Sequence, residues 1–204
     1  MASILKVDTI QDQSGNNIIN ENADTITIGA SGDTVNIVGT LQNNGNNAVG
    51  ITMADQWRLT ANTNSGVNAY ITTNWERVDD TSWSGIGTGL TESSGLFSFA
   101  QTGLYLISGN FVIYVEAGDA AAGVALETTN NNSTFLTDAI GYAGNEGSVA
   151  AYGMASFQQF FNVEDVTNYK FKFVSSSFSG TTVIIGNTTY SVSGFTVTRL
   201  GDSV

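Results

Sequence analysis

The side chains able to do acid–base chemistry in this chain are carboxylates, and they stand mostly alone. The 204 residues include no histidine and no cysteine. Imidazole, which moves protons most readily near neutral pH, is therefore missing, and so is the thiolate. Zinc hydrolysis, Ser-His-Asp triads and Cys-His dyads are excluded together. What remains is paired-carboxylate chemistry of the glycosidase kind, which needs two carboxyls facing each other across a cleft. Two adjacent pairs exist, Asp79-Asp80 and Glu164-Asp165. Neighbours on a strand point to opposite faces, so both pairs read as turn residues instead. No enzymatic function is expected.

Charge narrows the partners. Eighteen acidic residues against six basic ones give a net charge of −12. The basic residues Lys6, Arg58, Arg77, Lys170, Lys172 and Arg199 are scattered. Nucleic-acid binding needs a clustered basic footprint to displace counterions, so no nucleic-acid partner is expected. An acidic surface is repelled by anionic lipid. The chain also lacks the long apolar run a membrane-spanning helix requires, so no membrane insertion is expected. The opening MASILKVDTIQDQ has neither the basic start nor the apolar core of a secretion signal, which predicts use without Sec export.

The elements that must position these residues are strands. Charged residues make up 12% of the chain, about half the usual share, and Asn, Thr, Ser and Gly replace them. Residues 1–50 contain no aromatic side chain and close on the turn-rich LQNNGNNAVG. Within them, DTITIG and DTVNIVG repeat a short alternating segment at an interval of nine residues, with Ile26, Ile28, Val35 and Ile37 as the apolar positions. Two coils are too few for a single-chain β-helix. The remaining expectation is pairing with parallel copies of the chain around a threefold axis, these four side chains facing inward. That makes residues 24–50 a short β-stalk.

From residue 51 onward the pattern is one of many short strands separated by turn residues. NYKFKF places Tyr169, Phe171 and Phe173 on one face and Lys170 and Lys172 on the other. FVIYV, residues 111–115, is apolar on both faces and predicts cover on both. GLFSFAQTGLYLISG sets Phe97 and Phe99 on one side of a strand before turning back through Tyr105 and Ile107. The fold class is therefore all-β, with a sandwich or jelly roll of about eight to ten strands in residues 51–204. One sandwich core covers only one face of each sheet, so a lone copy exposes a large apolar patch. Phe97, Tyr105, Ile107, Phe111 and Phe195 are assigned to the core or to contacts between copies. Trp57, Trp75 and Trp83 are read the same way.

Two resemblances follow from particular residues. LKVDTIQDQSGNNII, with GDTVNIVG after it, resembles the N-terminal segments of tail-fibre and other virion proteins of marine phages. GLFSFAQTGLYLISGNFVIY and the later TTYSVSGFTVTRLG resemble the jelly roll of the complement globular heads and the tumour necrosis factor family. The matching positions are Gly95, Phe97, Gly103, Tyr105, Ile107, Ser191, Ser193, Gly194 and Phe195. The second resemblance implies a homotrimer with both ends of the head domain at its base. It departs from that family in having no disulfide and no clear calcium pattern. Asp119, Glu127, Asp138 and Glu146 are read as solvated loop carboxylates or as an ion site shared between subunits. No cofactor is expected, with calcium as the one ion left open.

Together these readings describe a short virion fibre made in a host cytoplasm. Residues 1–23 dock on other virion proteins, SILKVDTI adding a strand to a partner's sheet. Residues 24–50 form the trimeric stalk and 51–204 the outward jelly-roll head. Loops 116–123, 141–148 and 176–188 lie at its far end. Their candidate contacts with a host-surface glycan or protein are Asp119, Tyr142, Asn145, Glu146, Phe178 and Asn187. The alternative is a head-decoration or assembly fibre with no receptor-binding role.

Overall fold

The computed structural model describes residues 9–11, 13, 15, 17–22, 25–29, 32–38, 41–43, 46–47, 50–81 and 83–203. The chain divides into two compact units, Met1–Gly50 and Ile51–Val204.

The larger unit is built from two antiparallel sheets. Its strands are β6 (Ala54–Leu59), β7 (Trp75–Arg77), β8 (Thr91–Ser93), β9 (Leu96–Ser98), β10 (Gly103–Val115), β11 (Ala121–Thr129), β12 (Leu136–Gly144), β13 (Ala151–Val163), β14 (Lys170–Ser176), β15 (Val183–Ile184) and β16 (Gly194–Gly201). One sheet runs β13-β10-β16-β6-β7, with β15 also pairing β10, and the other runs β12-β11-β14-β9-β8. The central strands of each sheet pair with strands from distant parts of the sequence, so those pairings close long loops, whereas β6–β7, β8–β9 and β11–β12 are consecutive in the chain. Ala54 pairs with Thr198 and Leu104 with Gly201, which puts the first strand's start and the last strand's end at one end of the sandwich. The end beyond Val115 is the opposite one.

Strand alternation explains the core. Along β10, Tyr105, Ile107, Phe111, Ile113 and Val115 are buried, while Leu104, Leu106, Val112 and Tyr114 on the other face are only half covered. Phe97 from β9 stacks on Phe171 from β14 at 5.1 Å and meets Phe195 from β16 edge-on at 4.7 Å. The two sheets are joined through these rings. Burying each such ring is worth about 1.5–3 kcal/mol relative to leaving it in water. Phe99, Phe173 and Trp57 complete the cluster, and Trp75 packs its ring against Phe97, Phe173 and Phe195. The outer face of β10 is thus less covered than FVIYV predicted, and the inner face matches the prediction.

In the smaller unit, β1 (Thr9–Gln11), β2 (Asn17–Asn22) and β3 (Thr25–Ile28) form an antiparallel sheet in the order β1-β2-β3, and β4 (Gln42–Asn43) pairs with β5 (Asn46–Asn47). This corrects two expectations. The strand carrying Ile26 and Ile28 pairs with β2 of its own chain, Ile28 opposite Ile19 and Ile26 opposite Glu21, so it does not depend on parallel copies for a neighbour. Val35 and Ile37 lie in residues 33–38, which carry no strand. The hydrogen-bonding edge that the repeat needed was available upstream, in NIINEN, a segment whose alternation is broken by two adjacent isoleucines. All four apolar side chains are at least half exposed. β2 lies in the expected docking segment and β3 in the expected stalk, so the two share one sheet. Most of SILKVDTI, residues 3–8, lies outside the described residues; Thr9 and Ile10 belong to β1.

Candidate functional site

Loops from four places meet at the end of the sandwich beyond Val115, and a network of hydroxyls and carboxylates ties them. Glu116 follows β10 directly. Its carboxylate accepts hydrogen bonds from the Thr181 backbone N–H at 2.7 Å and from the Thr181 hydroxyl at 2.8 Å. Asp119 accepts from Ser179 Oγ at 2.7 Å and from Thr182 Oγ1 at 2.6 Å. These bonds favour the charged forms, so both carboxyls are held below the usual carboxylate range, Thr181 acting first on Glu116 and Thr182 on Asp119. Gly180 stands at φ +47°, and a Cβ there would lie 1.9 Å from Glu116 Oε1. Only glycine lets the loop close over that carboxylate.

The third and fourth loops lock onto the first two. Asn145 donates through Nδ2 to the Glu116 carbonyl at 3.1 Å, and its backbone N–H donates to the Ala120 carbonyl at 2.8 Å. Gly118 donates to the Gly147 carbonyl at 2.8 Å. Asn68, in the loop after β6, clasps Phe178 from both sides: its Oδ1 accepts from the Phe178 N–H at 2.7 Å and its Nδ2 donates to the Phe178 carbonyl at 3.2 Å. Asn187 accepts from the Thr189 and Tyr190 N–H groups, at 2.7 and 3.3 Å, and so shapes its own turn.

The six sequence-selected contacts therefore separate. Phe178 is corrected to a core residue: the Asn68 clasp turns its ring inward, and it is 4% exposed. Asp119, Asn145 and Asn187 spend their polar atoms on fixing loops. Tyr142 lies on strand β12, not in a loop, and it is exposed, as is Glu146. Residues 121–123 and 141–144 likewise belong to strands. The residues missed by the sequence reading are Asn68 and, in the same loop, Asn64, whose Nδ2 donates to the Ala69 carbonyl at 2.6 Å, and Asn62, whose Oδ1 accepts from the Gly186 N–H at 3.1 Å; their signal is the asparagine-rich ANTNSGVNAY between two aromatic strands.

The other acidic residues also have assigned work. Asp80 and Asp79 approach the buried guanidinium of Arg58 at 3.3 and 3.9 Å, alongside Glu76 at 2.8 Å. Glu164 accepts from the Tyr169 hydroxyl at 3.1 Å, and Asp165 accepts from the Thr167 N–H at 2.8 Å and from Asn168 Nδ2 at 2.6 Å. Glu127 pairs with Lys172 at 3.2 Å, and Asp138 accepts from Thr128 Oγ1 at 2.5 Å. No group of three metal-ligating side chains forms among the described residues. The four carboxylates considered for calcium are thus distributed, not convergent.

A second surface runs along the side of the sandwich where β12 and β13 approach. They belong to different sheets, yet a Cβ on Gly141 would lie 2.6 Å from the Ser156 backbone. That close approach seals the core and leaves both outer edges bare. Leu136, Ile140, Tyr142, Tyr152, Met154 and Phe160 are exposed along them. Beside them a groove of about 220 Å³ is lined by Thr128, Asp138, Phe161 and Tyr169 among others.

The strand order, the antiparallel pairing and the shared end for the first and last strands can be set against known proteins. No protein-family model matches the chain, and no curated protein sequence matches it significantly. Solved structures do. Eiger TNF from S. frugiperda superposes with a TM-score of 0.55 at 13% identity, over 76% of this chain and 96% of that one. Murine APRIL superposes with a TM-score of 0.52 at 11% identity, over 72% of this chain and 98% of that one. The larger unit is a tumour necrosis factor-like jelly roll. At these identities the likeness concerns the fold, and the head's chemistry is read from its own residues.

Proposed function

We propose that this chain is a phage virion fibre protein whose jelly-roll heads assemble as a homotrimer and present their far-end loops to a host-surface glycan or protein. The observation that carries the reading is the bare apolar edge formed by β12 and β13. Tyr152, Met154 and Phe160 on one strand and Leu136 and Ile140 on the other are large apolar side chains left exposed, interspersed with Ser156, Gln158 and Asp138, and laying a second copy on them takes that apolar surface out of water. The half-covered outer face of β10 offers a matching surface on a neighbouring copy. A tumour necrosis factor-like fold supports threefold assembly of this kind.

The virion assignment is supported by the N-terminal resemblance, carried by LKVDTIQDQSGNNII and GDTVNIVG. The far-end loops suit recognition because the Glu116, Asp119 and Asn145 network holds them rigid, leaving Tyr142 and Glu146 outward beside small neutral residues. Three weak sites per fibre act together through multivalency. Added purified protein is expected to slow adsorption of the parent phage in proportion to its concentration, and Tyr142→Ala with Glu146→Ala is expected to weaken that competition. Unchanged adsorption at saturating protein, together with labelling of the capsid instead of the tail, favours the decoration fibre.

A further inference from the structure

The stretch TTNNNST, residues 128–134, has the small neutral composition of a surface loop, yet it is held in one shape. Asn131 Oδ1 accepts from the Ser133 and Thr134 N–H groups at 3.0 and 2.8 Å and from Thr129 Oγ1 at 3.0 Å. Lys170 Nζ, on β14, donates to Asn132 Oδ1 at 2.7 Å, and the Asn132 N–H donates to the Asn168 carbonyl at 3.0 Å. The stretch joins β11 to β12 at the end of the sandwich where Gly103 pairs with Val163, opposite the Glu116 network. The groove of about 220 Å³ opens beside it.

The lining of that groove has two characters. Phe161 and Tyr169 supply an aromatic pair, their centroids 5.7 Å apart and their planes at 41°. Tyr169 is half-buried, and its hydroxyl donates to Glu164 at 3.1 Å, which fixes the ring. The polar lining comes from Thr128, Asn130, Thr134 and Asp138. Asp138 Oδ2 accepts from Thr128 Oγ1 at 2.5 Å. Among the described residues no hydrogen bond occupies Asp138 Oδ1, the Asn130 carboxamide or the Thr134 hydroxyl, and all three side chains belong to exposed residues. The far-end loops are the reverse case, since Glu116, Asp119 and Asn145 spend their polar atoms on holding one another's loops.

We propose that this groove is a binding site for one ring of a neutral sugar. A pyranose has a face of C–H groups and a rim of hydroxyls. The first takes the aromatic pair out of water, and the second can donate to the Asp138 carboxylate and exchange hydrogen bonds with Asn130 and Thr134. The volume lies below that of sites for drug-sized ligands, which suits a single ring. Asp138 repels an anionic sugar. An organic cation would satisfy Asp138 and the Tyr169 ring but has no use for the amide and the hydroxyl, whereas a ring of hydroxyls engages all three. The fixed loop lowers the ordering cost of binding. This inference goes beyond the far-end reading and does not depend on it.

Saturation-transfer NMR on the 204-residue chain tests it, with glucose, galactose, mannose and N-acetylglucosamine added singly and tetramethylammonium as the rival probe. At least one sugar is expected to bind with Kd about millimolar, the range open to so small a ligand. Tyr169→Ala is expected to abolish the signal and Tyr169→Phe to keep it. Asp138→Ala and Asn130→Ala, both at exposed positions, are expected to weaken binding about tenfold for the carboxylate and less for the amide, and they carry the test where Tyr169→Ala disturbs packing. Leu136 belongs both to this groove and to the edge assigned to contacts between copies, so a contact that closed the groove would leave every sugar unbound. That result overturns the proposal, as does tetramethylammonium binding without any sugar. Sugar binding that survives Asp138→Ala and Asn130→Ala unchanged but is lost in Tyr142→Ala with Glu146→Ala overturns the groove and sustains the far-end reading.

Discussion

The two units of this chain use their apolar side chains in opposite ways. In the jelly roll, Phe97, Phe111, Phe171 and Phe173 are completely buried between two sheets. In the N-terminal unit the described large apolar residues, which are isoleucines, valines and Leu41, are exposed. The difference lies in layers. Two sheets can shield each other's inner faces, whereas one small sheet cannot shield itself. The larger unit therefore holds a core of its own, whereas the described apolar side chains of the N-terminal sheet have no second layer over them within their unit.

The most severe way to break this comparison is to strike the shared aromatic cluster. Phe173 touches the rings of Trp75, Phe97, Phe111, Phe157, Phe171 and Phe195. Phe173→Ala is expected to cost about 3–5 kcal/mol, read as a large drop in the urea midpoint. An equivalent truncation in the other unit, Ile26→Ala, is expected to leave that midpoint unchanged. If both move it equally, the units are not energetically distinct.

The outer edge tests where self-sufficiency ends. Phe160→Asp removes apolar surface without touching the core, so the head's own unfolding is expected to shift by no more than about 0.5 kcal/mol at a dilution where copies are separate. The mass of the assembled species is expected to fall. An unchanged mass removes β13 from the contact between copies.

Within the head, the far-end loops are held more lightly than the core. Gly180→Ala forces a side chain into a left-handed backbone position and against the Glu116 carboxylate, at an expected cost of about 1–2 kcal/mol. Hydrogen exchange is expected to quicken at Thr181 and Thr182 and not in β10. The same loops carry a pH signature. Glu116 and Asp119 titrate lower folded than unfolded. Their contribution is thus fully present above the ordinary carboxylate range and is lost as pH falls through the depressed folded values. Glu116→Gln is expected to flatten that acid-side loss, and an identical acid profile removes the carboxylate from the loop network.

The sequence disclosed most of the head because strand period and burial coincide there. NYKFKF and the closing GFTVT alternate apolar with polar residues, and GLYLISGNFVIYV is apolar on both faces over much of its length; they form β14, β16 and β10, with Phe171, Phe173, Phe195, Tyr105, Ile107 and Phe111 inward as expected. Phe178 misled because an aromatic residue between serines looks like a loop tip, and only the distant Asn68 turns it inward. Gly141 and Gly144 read as turn signals around Tyr142, whereas at Gly141 the absence of a side chain permits strand-to-strand contact. In the N-terminal unit the shared Asp-Thr start of two segments drew attention to residues 24–40, whereas the strand that pairs with β3 is β2, upstream of both.

Self-association is the claim that carries the proposed function, and mass in solution tests it most directly. Light scattering of the 204-residue chain is expected to give three times the single-chain mass of 21.4 kDa, with the value held on dilution. A fully folded species at the single-chain mass contradicts the account.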